Sequence, residues 1–197
     1  TALVQLLGEI AGCPLAPPGA NPPFGPLRHL GEDLPGASDG HWLCADPVHL
    51  QFMQERLILA DGEQLRLTRE EAETLIADIN KVFAPDCVLK MASPERWYLR
   101  LTTPEADTLG AAPPLSAVAG RRVDAEQTRQ SRSRELARLQ NELQMFLHDH
   151  PINGARQDKG GLPVNSLWLW GGGTLTPAPG ASPPGVHLWS NIPLGRG

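Results

Sequence analysis

The sequence predicts an α+β fold in which a small antiparallel sheet carries one packed helix, in the order strand, strand, strand, helix, strand, strand. Two observations predict this fold. Short apolar runs separated by turn residues crowd between residues 41 and 103, and one capped amphipathic helix interrupts them. A long amphipathic helix and a Trp-rich strand should follow. We expect 41–103 to form one unit, with 1–40 before it and 104–197 packed with it as one domain.

The first forty residues differ sharply in composition from the unit that follows them. Leucines and an isoleucine recur at helical spacing over residues 2–11, which predicts a short helix there. Residues 14–40 are so rich in proline and glycine that neither a helix nor a central strand is expected to persist through them. This region is therefore predicted to be a long irregular connection.

Three strands are expected next, at residues 41–50, 56–60 and 63–67. The second and third should be joined through Asp61-Gly62, a pair that favours a tight hairpin turn. These strands would form one half of the sheet.

The helix that follows has the best-defined start in the chain. Thr68 is followed three residues later by Glu71, as in a capping box, and the apolar residues beyond them share one helical face. Pro85 should end this helix, and two further strands are predicted at 87–93 and 96–102.

The C-terminal part is predicted to contain a loop at 103–124 and a long helix over 126–150, where apolar residues recur every three or four positions. A Gly- and Pro-rich tail begins at Gly171, with one strand candidate at 186–190.

Composition excludes several classes of protein. A net charge of -5 argues against a nucleic-acid partner, because phosphate binding needs an excess of Lys and Arg. The cysteines, Cys13, Cys44 and Cys87, are odd in number and widely spaced, which is typical of reduced thiols in a cytosolic protein. No apolar run is long enough to cross a bilayer, and no signal-peptide pattern is present. We expect a cytoplasmic protein with no membrane association.

Polar and aromatic residues concentrate between positions 148 and 173. The candidate ligand-binding residues there are His150, Asn153, Arg156, Lys159, Asn165, Trp168 and Trp170. The two tryptophans alternate along a strand and should share one face. One interpretation is a pocket in which amide, guanidinium and ammonium groups donate to an anion beside an aromatic wall. The other is a helix end and turn docked under two core tryptophans.

Neither a metal site nor a catalytic residue is expected in the chain. His148, Asp149 and His150 are adjacent and point in different directions, while Asp46 and His49, three apart on a strand, face opposite sides. The sequence contains no GxSxG, SxxK or GxxxxGK[ST] motif. No cofactor is therefore expected.

Residues 149–173, DHPINGARQDKGGLPVNSLWLWGGG, resemble the run D-H-P-V-N-x-x-R-x-x-x-G-x-x-P-A-N-x-I-W-L-W-G-x-G of archaeal-type cofactor-independent phosphoglycerate mutases, which belong to the alkaline phosphatase superfamily. Residues 60–83, the strand that follows them and residues 95–101 resemble the small inserted domain of those enzymes. The chain resembles more closely a bacterial family of predicted regulatory proteins of the RpfE type, through residues 45–50, 96–101, 141–145 and 164–173.

The resemblance implies a reaction that uses two divalent metals and a Ser or Thr nucleophile. The early Asp-Gly metal motif and the late Asp-x-x-x-His pair of those mutases are not recognisable here. We therefore expect a non-catalytic relative with a regulatory role, which binds a small anion or a protein partner. The alternative is a phosphoglycerate mutase or phosphatase that uses Mn²⁺ or Mg²⁺ and whose catalytic residues lie outside this chain, which begins at Thr1. A third interpretation gives the tryptophan motif a purely structural role.

Overall fold

A computed structural model describes residues 23–32, 34–36, 40–53, 56–102, 112–119, 122–123 and 134–174 of the 197-residue chain. The helix predicted at 2–11 and the strand candidate at 186–190 lie outside these residues. No helix in the described part of the chain is long and apolar enough to cross a membrane.

The described residues form an antiparallel sheet, and the α+β fold predicted from the sequence is confirmed. Its strands are β1 (His41–Met53), β2 (Arg56–Ala60), β3 (Cys87–Ser93), β4 (Arg96–Leu101), β5 (Arg122–Val123) and β6 (Ser166–Gly173). The spatial order is β3-β4-β1-β2-β5, and β6 also pairs with β1.

The long strand β1 organises the sheet. Its first residues pair with β4, where Cys44 lies opposite Tyr98, and residues 42–48 pair with β6, where Asp46 lies opposite Trp168. Its last residues, from His49 onward, pair with β2. The Trp-rich strand from the C-terminal part of the chain is therefore an integral neighbour of the first strand.

The helices are α1 (Phe24–Gly31), α2 (Gly62–Leu65), α3 (Arg69–Phe83), α4 (Leu115–Val118), α5 (Arg134–His148) and α6 (Pro151–Asp158). The capping box predicted for α3 is confirmed, because Thr68 Oγ1 accepts from Glu71 N at 3.2 Å while Glu71 Oε2 accepts from Thr68 N at 2.9 Å. Within the helix predicted over 126–150, α5 occupies 134–148, and residues 149 and 150 lie beyond its end.

Three predictions of local structure are wrong. The strand predicted at 63–67 is replaced by α2, because Asp61 caps a helical turn, its side chain accepting from Gln64 N, and does not turn a hairpin. The connection predicted at 14–40 contains α1, and the loop predicted at 103–124 contains α4 and β5. Pro26 is tolerated in α1 because it lies in the first turn, where a backbone N–H has no acceptor within the helix.

The side chains of the sheet divide between two cores. On one side, aliphatic residues of the strands pack against α3 and α5; we call this the helical face, and it includes Leu43, Leu89, Leu99, Leu167 and Leu169. On the other side, which we call the aromatic face, the cluster includes Phe24 of α1 with Trp42, Tyr98, Trp168 and Trp170. Cys44 and Cys87 are buried free thiols, as predicted, and Cys13 lies outside the described residues.

Candidate functional site

His150 is the N-cap of helix α6, a helix that was not predicted from the sequence. Its Nδ1 accepts from Ile152 N at 3.3 Å, and Pro151 occupies the first helical position, where it is favoured. The other ring nitrogen, Nε2, lies 3.4 Å from Asp78 Oδ2 on α3. The ring is buried, and both of its nitrogens contact the protein itself.

Asn153 is buried in α6 and bonds only to backbone groups. Its Nδ2 donates to Leu147 O at 2.6 Å and to Val164 O at 2.7 Å, and its Oδ1 accepts from Val164 N at 2.8 Å. A side-chain amide offers two N–H donors and one carbonyl acceptor, so both donors are used. This residue joins the end of α5 to the segment that leads into β6.

Arg156, one turn further along α6, joins three parts of the chain. Its Nε donates to Leu162 O at 2.9 Å, its Nη1 to Glu71 Oε2 at 2.6 Å, and its Nη2 to Leu65 O. Glu71 is also the capping-box residue of α3. The guanidinium is buried and fixes α6 against α2 and the start of α3.

The next two candidates differ in exposure. Asn165 pairs with the backbone of Leu50, with Nδ2 donating to Leu50 O at 2.8 Å and Oδ1 accepting from Leu50 N at 2.7 Å. Lys159 follows the last turn of α6 and is exposed to solvent.

Trp168 and Trp170 lie on the same side of β6, as predicted, within the cluster of the aromatic face. Trp168 Nε1 donates to Pro113 O at 2.9 Å, and Trp170 Nε1 donates to Asp46 Oδ2 at 2.8 Å. Asn153 and Arg156 contact elements of the helical face instead. The predicted candidates are thus divided between the two sides of the sheet.

A polar cluster that was not predicted from the sequence lies between α1 and the aromatic face. Arg28 Nη1 donates to Asp46 Oδ2 at 2.9 Å, and the carboxylate is buried while the arginine side chain is 11% exposed. Burial raises the pKa of the Asp46 carboxyl, and the charge of Arg28 opposes this rise. Asp46 Oδ1 has no hydrogen-bond partner among the described residues. The guanidinium carbon of Arg28 lies 5.6 Å from the ring centre of Tyr98 and 5.7 Å from that of Trp170.

Glu32, just beyond α1, forms a second ion pair with β4. Arg96 Nε donates to Glu32 Oε1 at 2.6 Å, and Arg96 Nη2 donates to Glu32 Oε2 at 3.3 Å. Tyr98 Oη donates to the same carboxylate at 3.3 Å. Burial raises the pKa of the Tyr98 phenol, so it remains a neutral donor.

His29 lies on the buried side of α1 and has no exposed surface. Its ring stacks on Trp42 at 4.2 Å between ring centres and meets the ring of Tyr98 edge-on at 5.1 Å. Neither ring nitrogen has a hydrogen-bond partner within the described part of the chain. Burial lowers the pKa of His29 to about 4, and the nearby charge of Lys90 adds to this effect.

Further cations surround this region. Lys90 Nζ lies 5.1 Å from the ring centre of Trp42, and Arg100 lies opposite Trp42 in the pairing of β1 with β4. Together with Arg28 and Arg96 they form what we call the basic cluster: Arg28, Lys90, Arg96 and Arg100. The alternating positions of basic residues along β3 and β4 indicate this cluster in the sequence, since residues two apart on a strand share a face.

Glycines let α1 lie directly on the sheet. A Cβ atom on Gly25 would come within 2.7 Å of Trp42 O and 2.9 Å of Gly171 O, and one on Gly171 would come within 2.7 Å of Phe24 Cβ. Gly171 also has a φ of 64°, a backbone conformation that residues other than glycine rarely adopt. The WLWGGG motif therefore provides both the tryptophans of the aromatic face and the glycine on which α1 packs closely.

Metal ligands are not grouped in the described residues, where no three His, Cys, Asp or Glu side chains lie close enough to hold one ion.

No protein-family model matches the chain, and no curated protein matches it.

Two solved structures are similar to this chain. One is a cofactor-independent phosphoglycerate mutase from Thermoplasma acidophilum, with a TM-score of 0.53 and 20% identity over 76% of this chain and 41% of that protein. The other is the PH0037 protein from Pyrococcus horikoshii, with a TM-score of 0.50 and 22% identity over 77% of this chain and 32% of that one. This chain therefore spans less than half the length of either protein, and it has the fold of a part of a cofactor-independent phosphoglycerate mutase.

Proposed function

We propose that this chain is a cytoplasmic, non-catalytic binding domain with a regulatory role, and that it takes a small anion at the basic cluster. The observation that carries the proposal is the gathering of Arg28, Lys90, Arg96 and Arg100 on one face of a chain whose net charge is -5. Only two carboxylates of the described residues, Asp46 and Glu32, form ion pairs with this cluster.

The strand geometry supports convergence of three of these cations. Arg96 and Arg100 flank Tyr98 along β4, and Lys90 lies opposite Tyr98 on β3. Neighbouring strands are about 5 Å apart, so an anion of phosphate or carboxylate size can reach more than one of these side chains. Arg100 Nε is buried and has no hydrogen-bond partner among the described residues.

A non-catalytic role is supported by how the motif residues are used. Asn153 and Arg156, which match the family pattern, donate to the protein's own backbone and to Glu71. Their retention is thus explained by folding, without a substrate. The resemblance to bacterial regulatory proteins of the RpfE type points the same way.

The test is a titration of the purified chain with inorganic phosphate, sulfate and 3-phosphoglycerate in EDTA at constant ionic strength, followed by thermal shift and calorimetry. A ligand that binds only the native state raises the unfolding temperature by mass action. We expect at least one anion to bind, and Arg100→Gln to weaken its binding at least about tenfold, as for loss of one charge-assisted hydrogen bond.

The matched control is Arg138→Gln, which removes an exposed arginine from α5 and should leave anion binding unchanged. The proposal fails when no anion binds, or when Arg138→Gln weakens binding as much as Arg100→Gln does. Absence of anion binding would favour a protein partner instead.

The alternative function is a phosphoglycerate mutase or phosphatase whose catalytic residues lie outside this chain. The observation that favours it is the fold shared with part of the Thermoplasma mutase. It predicts that the protein encoded by the complete gene interconverts 2- and 3-phosphoglycerate with Mn²⁺ or Mg²⁺. It also predicts a thermal shift with phosphoglycerate that requires the metal.

A further inference from the structure

We propose that helix α1 is an acid-released cover of the aromatic face and that His29 is the residue whose protonation releases it. This inference does not depend on the identity of any ligand. It follows from where the imidazole lies and from what surrounds it.

The imidazole of His29 occupies an apolar site. It is fully buried between Trp42 and Tyr98, and neither nitrogen meets an acceptor among the described residues. A neutral ring fits such a site through stacking and edge contacts. A protonated ring would carry two N–H donors and a charge with nothing to receive them, which is strongly unfavourable in a low-dielectric interior.

Among the charged groups around His29, Lys90 adds to this preference for the neutral ring and Glu32 opposes it. Strand β3 contributes Lys90, and β4 contributes Arg96, Arg100 and the neutral phenol of Tyr98. Helix α1 and the residue after it contribute Arg28 and Glu32, while β1 contributes Asp46 and Cys44. Residues 34–36 contribute no titratable side chain. Both carboxylates pair with arginines, and neither forms a hydrogen bond with a His29 nitrogen.

The two ends of α1 are held differently. Its first turn lies directly on β1 and β6 through Gly25, whereas its second half is held by the Arg28–Asp46 and Glu32–Arg96 ion pairs. The Arg96 side chain is 38% exposed, so solvent reaches the Glu32–Arg96 ion pair that holds the end of α1. Lifting of the second half would bring His29 into water without detaching the first turn.

The sign of the effect follows from linkage. The pKa of His29 is about 4 with α1 in place and near its ordinary 6.5 once the ring is in water. The stabilisation of the closed helix is therefore complete above pH 6.5 and is lost as pH falls toward 4. Between pH 7 and pH 5 this single group should lower the ratio of closed to open α1 about 20-fold. Asp46 acts in the opposite direction, because burial raises its pKa in the closed form.

The experiment compares the wild-type chain with His29→Phe, which keeps a stacked ring and cannot be protonated. Hydrogen exchange of the amides in residues 24–31 is followed by mass spectrometry at pH 7, 6 and 5, with rates normalised to those of the unstructured peptide. The contribution of Asp46 is common to both proteins and cancels in the comparison. We expect protection of α1 to fall about 20-fold more in the wild type than in the variant.

His148→Gln, at an exposed histidine, is the matched control and should behave as the wild type does. Equal loss of protection in the wild type and in His29→Phe would overturn the proposal. A second measurement needs only the wild-type protein: an NMR titration of the His29 ring. A midpoint well below 6.5 supports the proposal, and a midpoint at or above 6.5 overturns it even when the Phe variant does not fold.

Discussion

The side-chain amide of Asn153 pairs with the backbone of Val164 in both directions, as a residue of a neighbouring strand would, at 2.7 Å and 2.8 Å. Asn165 does the same with Leu50, and Asn80 on α3 does the same with Leu89, with Nδ2 donating at 3.0 Å and Oδ1 accepting at 2.7 Å. These amides satisfy backbone groups where no strand partner is available.

Replacement of Asn153 tests its structural role. Asn153→Ala leaves the N–H of Val164 and the carbonyls of Val164 and Leu147 without their partner, so we expect a loss of about 3 kcal/mol in the free energy of unfolding. Urea denaturation measures this loss. Asn141→Ala, at an exposed position of α5, should change stability by less than about 0.5 kcal/mol. Unchanged stability with lost ligand binding would instead assign Asn153 to a pocket.

Arg156 should not be replaceable by lysine. Its planar guanidinium reaches Leu162 O, Glu71 and Leu65 O at once, and the single nitrogen of a lysine cannot reproduce that fork. We expect Arg156→Lys to lower stability by about 2–3 kcal/mol. Thermal denaturation at neutral pH measures this, with Arg138→Lys as the exposed counterpart. Equal effects of the two substitutions would contradict the role assigned to Arg156.

Two glycines in helices should respond oppositely to alanine. At Gly25 the new methyl group would overlap backbone atoms of Trp42, Leu43 and Gly171, so α1 must move, and we expect a loss of about 2 kcal/mol. At Gly154 there is nothing within 4 Å, and alanine should stabilise α6 by up to about 1 kcal/mol. Unfolding midpoints of the two variants measure these changes in stability. An unchanged stability of Gly25→Ala would argue against the close packing of α1 on the sheet.

The Arg28–Asp46 pair should behave as a buried ion pair. Asp46→Asn keeps an acceptor for Trp170 but leaves the charge of Arg28 uncompensated, so we expect a loss of about 3 kcal/mol. Adding Arg28→Met should recover part of that loss, because the unpaired charge is removed. A double-mutant cycle measured by urea denaturation tests this. Strictly additive losses would indicate that the two side chains do not interact.

The parts of the fold that local sequence signals determine were predictable. The capping box of Thr68 and Glu71 located α3, and the apolar runs located β1, β3 and β4. Asp61-Gly62 was misassigned because aspartate favours both a hairpin turn and a helix N-cap, and only the tertiary setting selects between them. Helix α1 was missed because its prolines, which forbid a helix interior, lie at its N-cap and first turn.

The candidate site was harder to predict. The motif residues Asn153 and Arg156 were singled out from the sequence as ligand-binding candidates. Whether such groups meet a ligand or the backbone depends on contacts with residues as distant in sequence as Leu65. Arg28 and Asp46 carry no shared motif, and their pairing requires α1 to lie across the sheet. The alternation of Arg96, Tyr98 and Arg100 along β4 was a usable signal for the basic cluster.

The hydrogen bonds of Asn153 also bear on how the protein ages chemically. Asn153 is followed by Gly154, and an Asn-Gly pair deamidates when the glycine nitrogen attacks the side-chain carbonyl carbon. Here the amide is held by Val164 and Leu147, and Gly154 N donates to His150 O, so the two groups cannot close the ring. Peptide mass spectrometry should find Asn153 intact in folded samples and converted in denatured ones. Because the resulting aspartate has no N–H to donate, a chain deamidated while unfolded would refold to a less stable protein.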